Sequence, residues 1–303
     1  MISVVLLYAL FGSTFIFAKE AVLAVPPLFF IGIRMIMAGL LLLSFIKFYQ
    51  KKSLIIKRQD VPWFLGIIFF HIYIAYVLEF IGIQFLTAAK TCLLYNLSPF
   101  ISALFSYFFF GEIMTKRKWR GLFIGFCAFL PLLISQAPAT EMKIGEIGFI
   151  SYPEILLLIS ITSSCAGWIF MRKLTRELEY SYFFVNTVGM FGGGVLALLT
   201  SYSFEKWPEI SSLIGNIPFI RSLLLLILIG NIICYNLYGK LLATYSVTIL
   251  SFFGFITPIF AAIFGWLWLG ETVSWPFFAT VSLVVLGLYE FYQEELRQGY
   301  IIK

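Results

Sequence analysis

Long apolar stretches of this sequence contain basic and acidic side chains away from their ends: Arg34, His71, Glu79 and Lys90. A charge in the middle of a membrane-spanning segment costs at least about 2.5–3.5 kcal/mol, so such residues usually face a partner, a cavity or an ion path. A buried carboxylate can bind a cation or carry a proton, and an imidazole can relay one. Glu79 and His71 are therefore candidates for proton coupling, and Glu79 is also a candidate ligand for a bound cation.

The spacing of these two residues allows a shared cavity. His71 precedes Glu79 by eight residues, which places them about 80° apart around an α-helix. The structural alternative is that Glu79 forms one half of a permanent ion pair and that His71 is a hydrogen-bonded packing residue. The sequence leaves both interpretations open.

Glu79 and Lys90 also predict a charge pair. A short turn joins the apolar stretches that contain them, and each residue lies a few positions from that turn. The free-energy cost of burying two opposite charges at this depth is lower when they pair than when they lie apart. We expect them to pair in one state of a working cycle, with a bound molecule or a proton competing for Glu79 in another. The alternative is a permanent pair that holds the hairpin.

Polar and aromatic residues near the middle of other apolar stretches could complete a pocket. Asn231, Tyr235 and Tyr238 share one face of a helix because of their spacing. Aromatic walls with a few polar groups suit amphipathic or cationic small molecules, although interhelical hydrogen bonds and lipid-facing rings would explain the same residues. The predicted binding set is Glu79, Lys90, Tyr95, Asn96, Trp168, Asn231, Tyr235 and Phe15.

Membrane-spanning helices must position these residues. Of the 303 residues, 61% are apolar and 12% are charged, whereas an ordinary soluble domain carries about 25% charged residues. A spanning helix needs about 20 apolar residues, and the long runs fit an all-α integral membrane protein rather than a barrel. The sequence predicts ten spans, at 3–22, 28–48, 62–83, 87–110, 118–136, 153–172, 180–201, 218–240, 245–269 and 274–294.

Positive charges predict the orientation. If the N-terminus is cytoplasmic, 15 of the 21 Lys and Arg residues lie in cytoplasmic loops or at the C-terminus. The positive-inside rule then places both termini in the cytoplasm of a multi-pass cell-membrane protein. The net charge of +6 follows from this bias, and nothing independent supports nucleic-acid binding.

An internal repeat relates the two halves of the chain. Pro99 leads to Gly111 and Glu112, and Pro258 leads to Gly270 and Glu271, with the same spacing and an offset of 159 residues. Residues 1–136 and 153–303 are therefore predicted to be five-helix repeats joined by a linker at 137–152. Because five is odd, the second repeat must be inverted in the membrane, which is a recurring plan of secondary transporters.

This repeat, together with Arg34 after the Pro26-Pro27 turn, resembles the EamA-type members of the drug/metabolite transporter superfamily over essentially the whole chain. The resemblance implies ten helices in two inverted halves that move small metabolites by alternating access. Phe11-Gly12-Ser13-Thr14-Phe15 departs from the family's frequent Trp-Gly-x-x-Phe pattern. Amino acids or their derivatives, S-adenosylmethionine included, are the expected substrates, and a multidrug or aromatic-compound exporter is the alternative.

Other classes of function find less support in the residues. A membrane-embedded enzyme would usually show a catalytic cluster, and a non-catalytic scaffold or receptor would not need an inverted repeat. No nucleotide-binding loop or metal-ligand spacing occurs, so we predict no catalytic residue, metal or cofactor. The expected partners are a small-molecule substrate, the lipid bilayer and either a proton or a counter-substrate, for a monomer or homodimer.

Overall fold

The computed structural model describes residues 2–50, 55–86, 91, 94–128, 146–147, 150–260, 263–264 and 275–300. Over these residues the regular secondary structure is helical apart from one antiparallel pair of two-residue strands, β1 (Glu146–Ile147) and β2 (Ile150–Ser151). This pair lies within the predicted linker. Lys90, Glu271 and residue 143 lie outside the described residues, so the predicted Glu79–Lys90 pair does too.

Six helices are long and apolar enough to cross a membrane. They are α1 (Ile2–Ala24), α2 (Pro27–Phe48), α3 (Arg58–Gly82), α6 (Tyr152–Glu177), α7 (Tyr182–Phe204) and α8 (Ile217–Leu241). Each coincides with one of the predicted spans. The protein is therefore a multi-pass membrane protein.

Four further helices overlap the remaining predicted spans over the residues described, but a turn at residues 96–97, just before Pro99, interrupts the span predicted at 87–110. They are α4 (Ser98–Phe110), α5 (Lys116–Cys127), α9 (Val247–Phe260) and α10 (Trp275–Gln298). A separate five-residue helix, Ile210–Ile214, precedes α8. The four helices are not among the six because α4, α5 and α9 are short over the described residues and α10 carries charged residues near its C-terminal end.

Close helix packing depends on glycine. A Cβ added to Gly39 in α2 would lie 3.0 Å from the backbone nitrogen of Phe191 in α7, and one on Gly194 would lie 2.9 Å from the nitrogen of Ile36. Small residues let helix backbones approach in membranes. Gly39 of α2 and Gly194 of α7 therefore let these two helices pack closely against each other, whereas Gly189, Gly192 and Gly193 of α7 face isoleucines of α3.

Two long helices contain π-helical segments. One covers Ile67–Ile74 in α3, and the other covers Leu226–Cys234 in α8. A π-turn rotates successive side chains by less than an α-turn does, and such segments occur frequently at functional sites. The residue directly after each segment, Ala75 or Tyr235, lines the central cavity, and Asn231 within the second segment lines it as well.

Candidate functional site

A central cavity of about 170 Å³ lies among α1, α2, α3, α6, α8, α9 and the residues leading into α4. Seven of the eight residues in the predicted binding set line it; the eighth, Lys90, lies outside the described residues. The seven are Phe15, Glu79, Tyr95, Asn96, Trp168, Asn231 and Tyr235. Side chains from both halves of the chain therefore meet around one space.

One part of the wall carries both signs of charge. Glu79 and Arg34 both line the cavity, and the Glu79 carboxylate interacts electrostatically with the Tyr95 hydroxyl and the Arg34 guanidinium. Arg34 is 3% exposed, and its guanidinium carbon lies 4.6 Å from the centre of the Tyr76 ring. The binding set predicted from sequence omits Arg34, although its place in an apolar stretch was a signal for it.

Another part of the wall is aromatic. The ring of Trp168 stacks on that of Tyr238, with centroids 3.7 Å apart and planes inclined by 17°. Tyr235 lies 5.2 Å from the same indole, and Phe15 meets Tyr95 edge to face at 5.8 Å. Tyr238 also lines the cavity, as its shared helix face with Asn231 indicates.

Two buried amides in the wall have unused hydrogen-bonding capacity. Among the described residues, neither the Asn96 amide nitrogen nor the Asn231 amide oxygen has a hydrogen-bond partner. The Asn231 amide nitrogen lies 3.0 Å from the thioether sulfur of Met35. A buried polar atom without a partner is costly, so these groups are suited to a polar molecule in the cavity.

His71 lies behind the cavity wall rather than on the cavity. The side chain is fully buried, and its ring lies 4.2 Å from Trp168 and 5.1 Å from Tyr235. The predicted 80° separation from Glu79 assumes an unbroken α-helix, whereas His71 belongs to the π-helical segment of α3. This geometry favours a packing role that supports the aromatic wall.

Hydrogen bonds connect cavity-lining residues of α1 and α9 to their neighbours, and buried ion pairs join further helices. Ser102 and Ser251 share a hydrogen bond of 2.8 Å, and the Tyr8 hydroxyl donates to the Leu250 carbonyl. The Arg172–Glu112 and Lys118–Glu295 ion pairs are also buried. The sequence did not indicate these pairs, because their partners are far apart along the chain.

The turn between α4 and α5 places two of these charges at the same end of the bundle. Gly111 ends α4 with φ 65°, a left-handed conformation that glycine adopts without strain. The Thr115 side chain then caps α5 by accepting from the Lys118 backbone nitrogen at 3.4 Å. Within the described residues, no group of three His, Cys, Asp or Glu side chains could hold a metal ion.

The sequence model of the EamA-like transporter family matches this chain twice, over residues 1–134 and 151–292. The chain belongs to the EamA-like transporter family. The resemblance inferred from the repeat is thereby confirmed, and this EamA-family member is a membrane transporter and not an enzyme.

Curated relatives extend the comparison. A S-adenosylmethionine/S-adenosylhomocysteine transporter of Chlamydia muridarum is 36% identical over 295 residues, covering 97% of this chain and 91% of the relative. Its counterpart in Chlamydia trachomatis serovar D is 35% identical to this chain, and the alignment covers 97% of this chain and 89% of that relative. The uncharacterized transporter YvbV of Bacillus subtilis is 25% identical over 93% of this chain and 88% of its own length.

The fold is shared with a protein of known structure. A crystal structure superposes with a TM-score of 0.72 over 98% of this chain and 96% of the other, at 18% sequence identity. The likeness shows a common arrangement of helices and nothing about substrate.

Proposed function

We propose that this EamA-family transporter carries S-adenosylmethionine by alternating access, with S-adenosylhomocysteine as the counter-substrate. The observation that carries the proposal is the composition of the cavity, where the Glu79 carboxylate and the rings of Trp168 and Tyr235 line one space. S-adenosylmethionine has an ammonium group, a sulfonium cation and an adenine ring. A carboxylate and aromatic faces are the groups that bind these features.

The chlamydial relatives support this substrate. Their names give S-adenosylmethionine and S-adenosylhomocysteine, and they align with 97% of this chain. S-adenosylhomocysteine retains the amino-acid head group and the adenine but lacks the sulfonium charge. A cavity that recognises the shared parts would bind both molecules, which suits exchange of one for the other.

Repeat symmetry supports the alternating-access part of the proposal. The π-helical segments begin at Ile67 and Leu226, which are separated by the same 159 residues as Pro99 and Pro258. We propose ten spans in two inverted five-helix repeats, residues 1–136 and 153–303, with both termini in the cytoplasm. Rocking of one repeat against the other would expose the cavity to each side in turn.

Uptake into proteoliposomes tests the substrate. The purified transporter is offered labelled S-adenosylmethionine, amino acids and aromatic drugs, each with and without a pH gradient and with and without internal S-adenosylhomocysteine. We expect uptake of S-adenosylmethionine that internal S-adenosylhomocysteine accelerates. Uptake of an aromatic drug but not of S-adenosylmethionine would contradict the proposal and indicate a multidrug exporter instead.

A further inference from the structure

Arg34 presents unused hydrogen-bond donors at the cavity. The residue lines the cavity and is 3% exposed. Its Nε and Nη2 atoms are buried and have no hydrogen-bond partner among the described residues. A guanidinium stays charged at any physiological pH, so these donors are costly to bury unless a bound group satisfies them.

Aromatic rings hold the guanidinium without using its donors. The guanidinium carbon lies 4.6 Å from the centre of the Tyr76 ring, 5.1 Å from that of Phe80 and 5.9 Å from that of Phe30. A cation–π contact engages the face of a guanidinium, while the N–H groups point outward along its edges. Edge donors of this kind bind a carboxylate through two parallel hydrogen bonds.

A negative charge lies beside this positive one. Glu79 is three residues beyond Tyr76 on α3 and lines the same cavity, and its carboxylate interacts electrostatically with Arg34. The α-carboxylate and α-ammonium of an amino acid are likewise neighbours of opposite charge. The two side chains are therefore complementary to the head group of a zwitterionic amino acid.

We infer that Arg34 binds the α-carboxylate of the substrate and that Glu79 binds its α-ammonium group. This inference rests on the proposed function and deepens it. It makes the amino-acid head group the common recognition element of S-adenosylmethionine and S-adenosylhomocysteine. Adenosine thioethers or sulfonium compounds without a carboxylate are then poor ligands, however well their adenine fits the aromatic wall.

The test compares S-adenosylmethionine with its carboxyl methyl ester as competitors of labelled S-adenosylmethionine uptake. For the unmodified transporter we expect the ester to compete on the order of tenfold less well or worse, because a neutral ester cannot accept the paired, charge-assisted hydrogen bonds. Equal competition by the two compounds would overturn the inference without any variant.

Arg34→Lys and Arg34→Gln test the residue itself. We expect both variants to weaken competition by S-adenosylmethionine about tenfold or more and to leave the ester nearly unchanged, because lysine keeps the charge but lacks the planar fork. A purely structural Arg34 would weaken both compounds equally and preserve their ratio. Arg120→Gln is the matched control, because Arg120 is an exposed residue paired with Glu290 and does not line the cavity.

A failure of the proposed function gives a different pattern. If labelled S-adenosylmethionine is not taken up, the proposed function is wrong, and the ester comparison is repeated with the metabolite that the uptake panel identifies. If that metabolite has no carboxylate, the role of Arg34 is wrong as well. If it is an amino acid whose ester competes poorly, the role of Arg34 stands without S-adenosylmethionine.

Discussion

Trp168 of α6 stacks face to face on Tyr238 of α8 at the cavity wall, with ring centroids 3.7 Å apart. The fully buried imidazole of His71 lies 4.2 Å behind the indole, so the indole cannot withdraw in that direction. Gly167 permits this packing, because a Cβ at that position would overlap the His71 ring. The aromatic wall is therefore held in place before any ligand arrives.

Trp168→Ala should weaken S-adenosylmethionine transport. Stacking of a base on an aromatic side chain is worth about 1–3 kcal/mol, so we expect KM to rise roughly five- to 150-fold. Trp168→Phe should have a smaller effect because it keeps part of the ring surface. The measurement is concentration-dependent uptake into proteoliposomes.

Trp119→Ala is the control for this prediction. Trp119 is 49% exposed on α5, and its ring contacts Phe100 rather than the cavity. If the Trp168 and Trp119 variants have the same KM as the unmodified transporter, the aromatic wall does not bind the adenine.

Glu79→Gln should reduce transport of S-adenosylmethionine and S-adenosylhomocysteine by similar factors, on the order of tenfold. Both molecules carry the ammonium group, which a carboxylate binds by a charge-assisted hydrogen bond. Competition assays with the two unlabelled compounds measure the ratio. Glu209→Gln, an exposed position near Ser211, serves as the control. Selective loss of S-adenosylmethionine would show that Glu79 faces the sulfonium instead.

Gly287→Ala should lower the thermal stability of the protein. A Cβ on Gly287 would lie 2.7 Å from the Gly121 carbonyl oxygen and 3.1 Å from the Gly125 nitrogen, so α5 and α10 would have to separate. Overpacking of this kind typically costs about 1–3 kcal/mol. The measurement is the apparent melting temperature in detergent. Gly215→Ala is the control, because a Cβ there meets nothing within 4 Å, and equal melting temperatures would contradict the prediction.

The sequence predicted the cavity better than its surroundings. Polar residues such as Asn96 and Asn231 avoid lipid, so their residue type alone predicts that they face the protein interior. The position of His71 was harder to predict from the sequence. A π-helical segment covers Ile67–Ile74 and changes the rotation per residue that an α-helix would give. The pairing of Lys118 with Glu295 depends on how α5 packs against α10, and no local pattern encodes that packing.

Accessibility labelling should place the two ends of α7 on opposite sides of the membrane. Near its start, the Tyr180 hydroxyl donates to Asp60 at 2.7 Å. At its other end, Glu205 accepts from the Leu28 backbone nitrogen at 3.0 Å. In a cysteine-free background, we expect a cysteine at position 58 to react only from the cytoplasm, and cysteines at 143 and 206 only from outside. Labelling of position 143 from the cytoplasm alone would contradict both the orientation and the inversion of the repeats.

Lys118→Met should destabilise the protein strongly. The Lys118 and Glu295 side chains are 1% and 0% exposed and form an ion pair, and Ser246 donates a further hydrogen bond of 2.7 Å to the Glu295 carboxylate. Removal of one partner leaves a buried charge uncompensated, which typically costs about 3–5 kcal/mol. We expect a clear drop in the apparent melting temperature in detergent, and partial recovery in the Lys118→Met/Glu295→Gln double variant, which removes both charges.

The same two helices provide the control for the Lys118 variant. Arg120 of α5 pairs with Glu290 of α10 at 2.7 Å, but its side chain is 61% exposed. Surface pairs contribute at most about 1 kcal/mol, so Arg120→Gln should leave the melting temperature nearly unchanged. Equal drops in melting temperature for Lys118→Met and Arg120→Gln would show that burial does not determine how much the Lys118–Glu295 pair stabilises the protein. Lack of any recovery in the double variant would show that the loss comes from packing rather than from the uncompensated Glu295 charge.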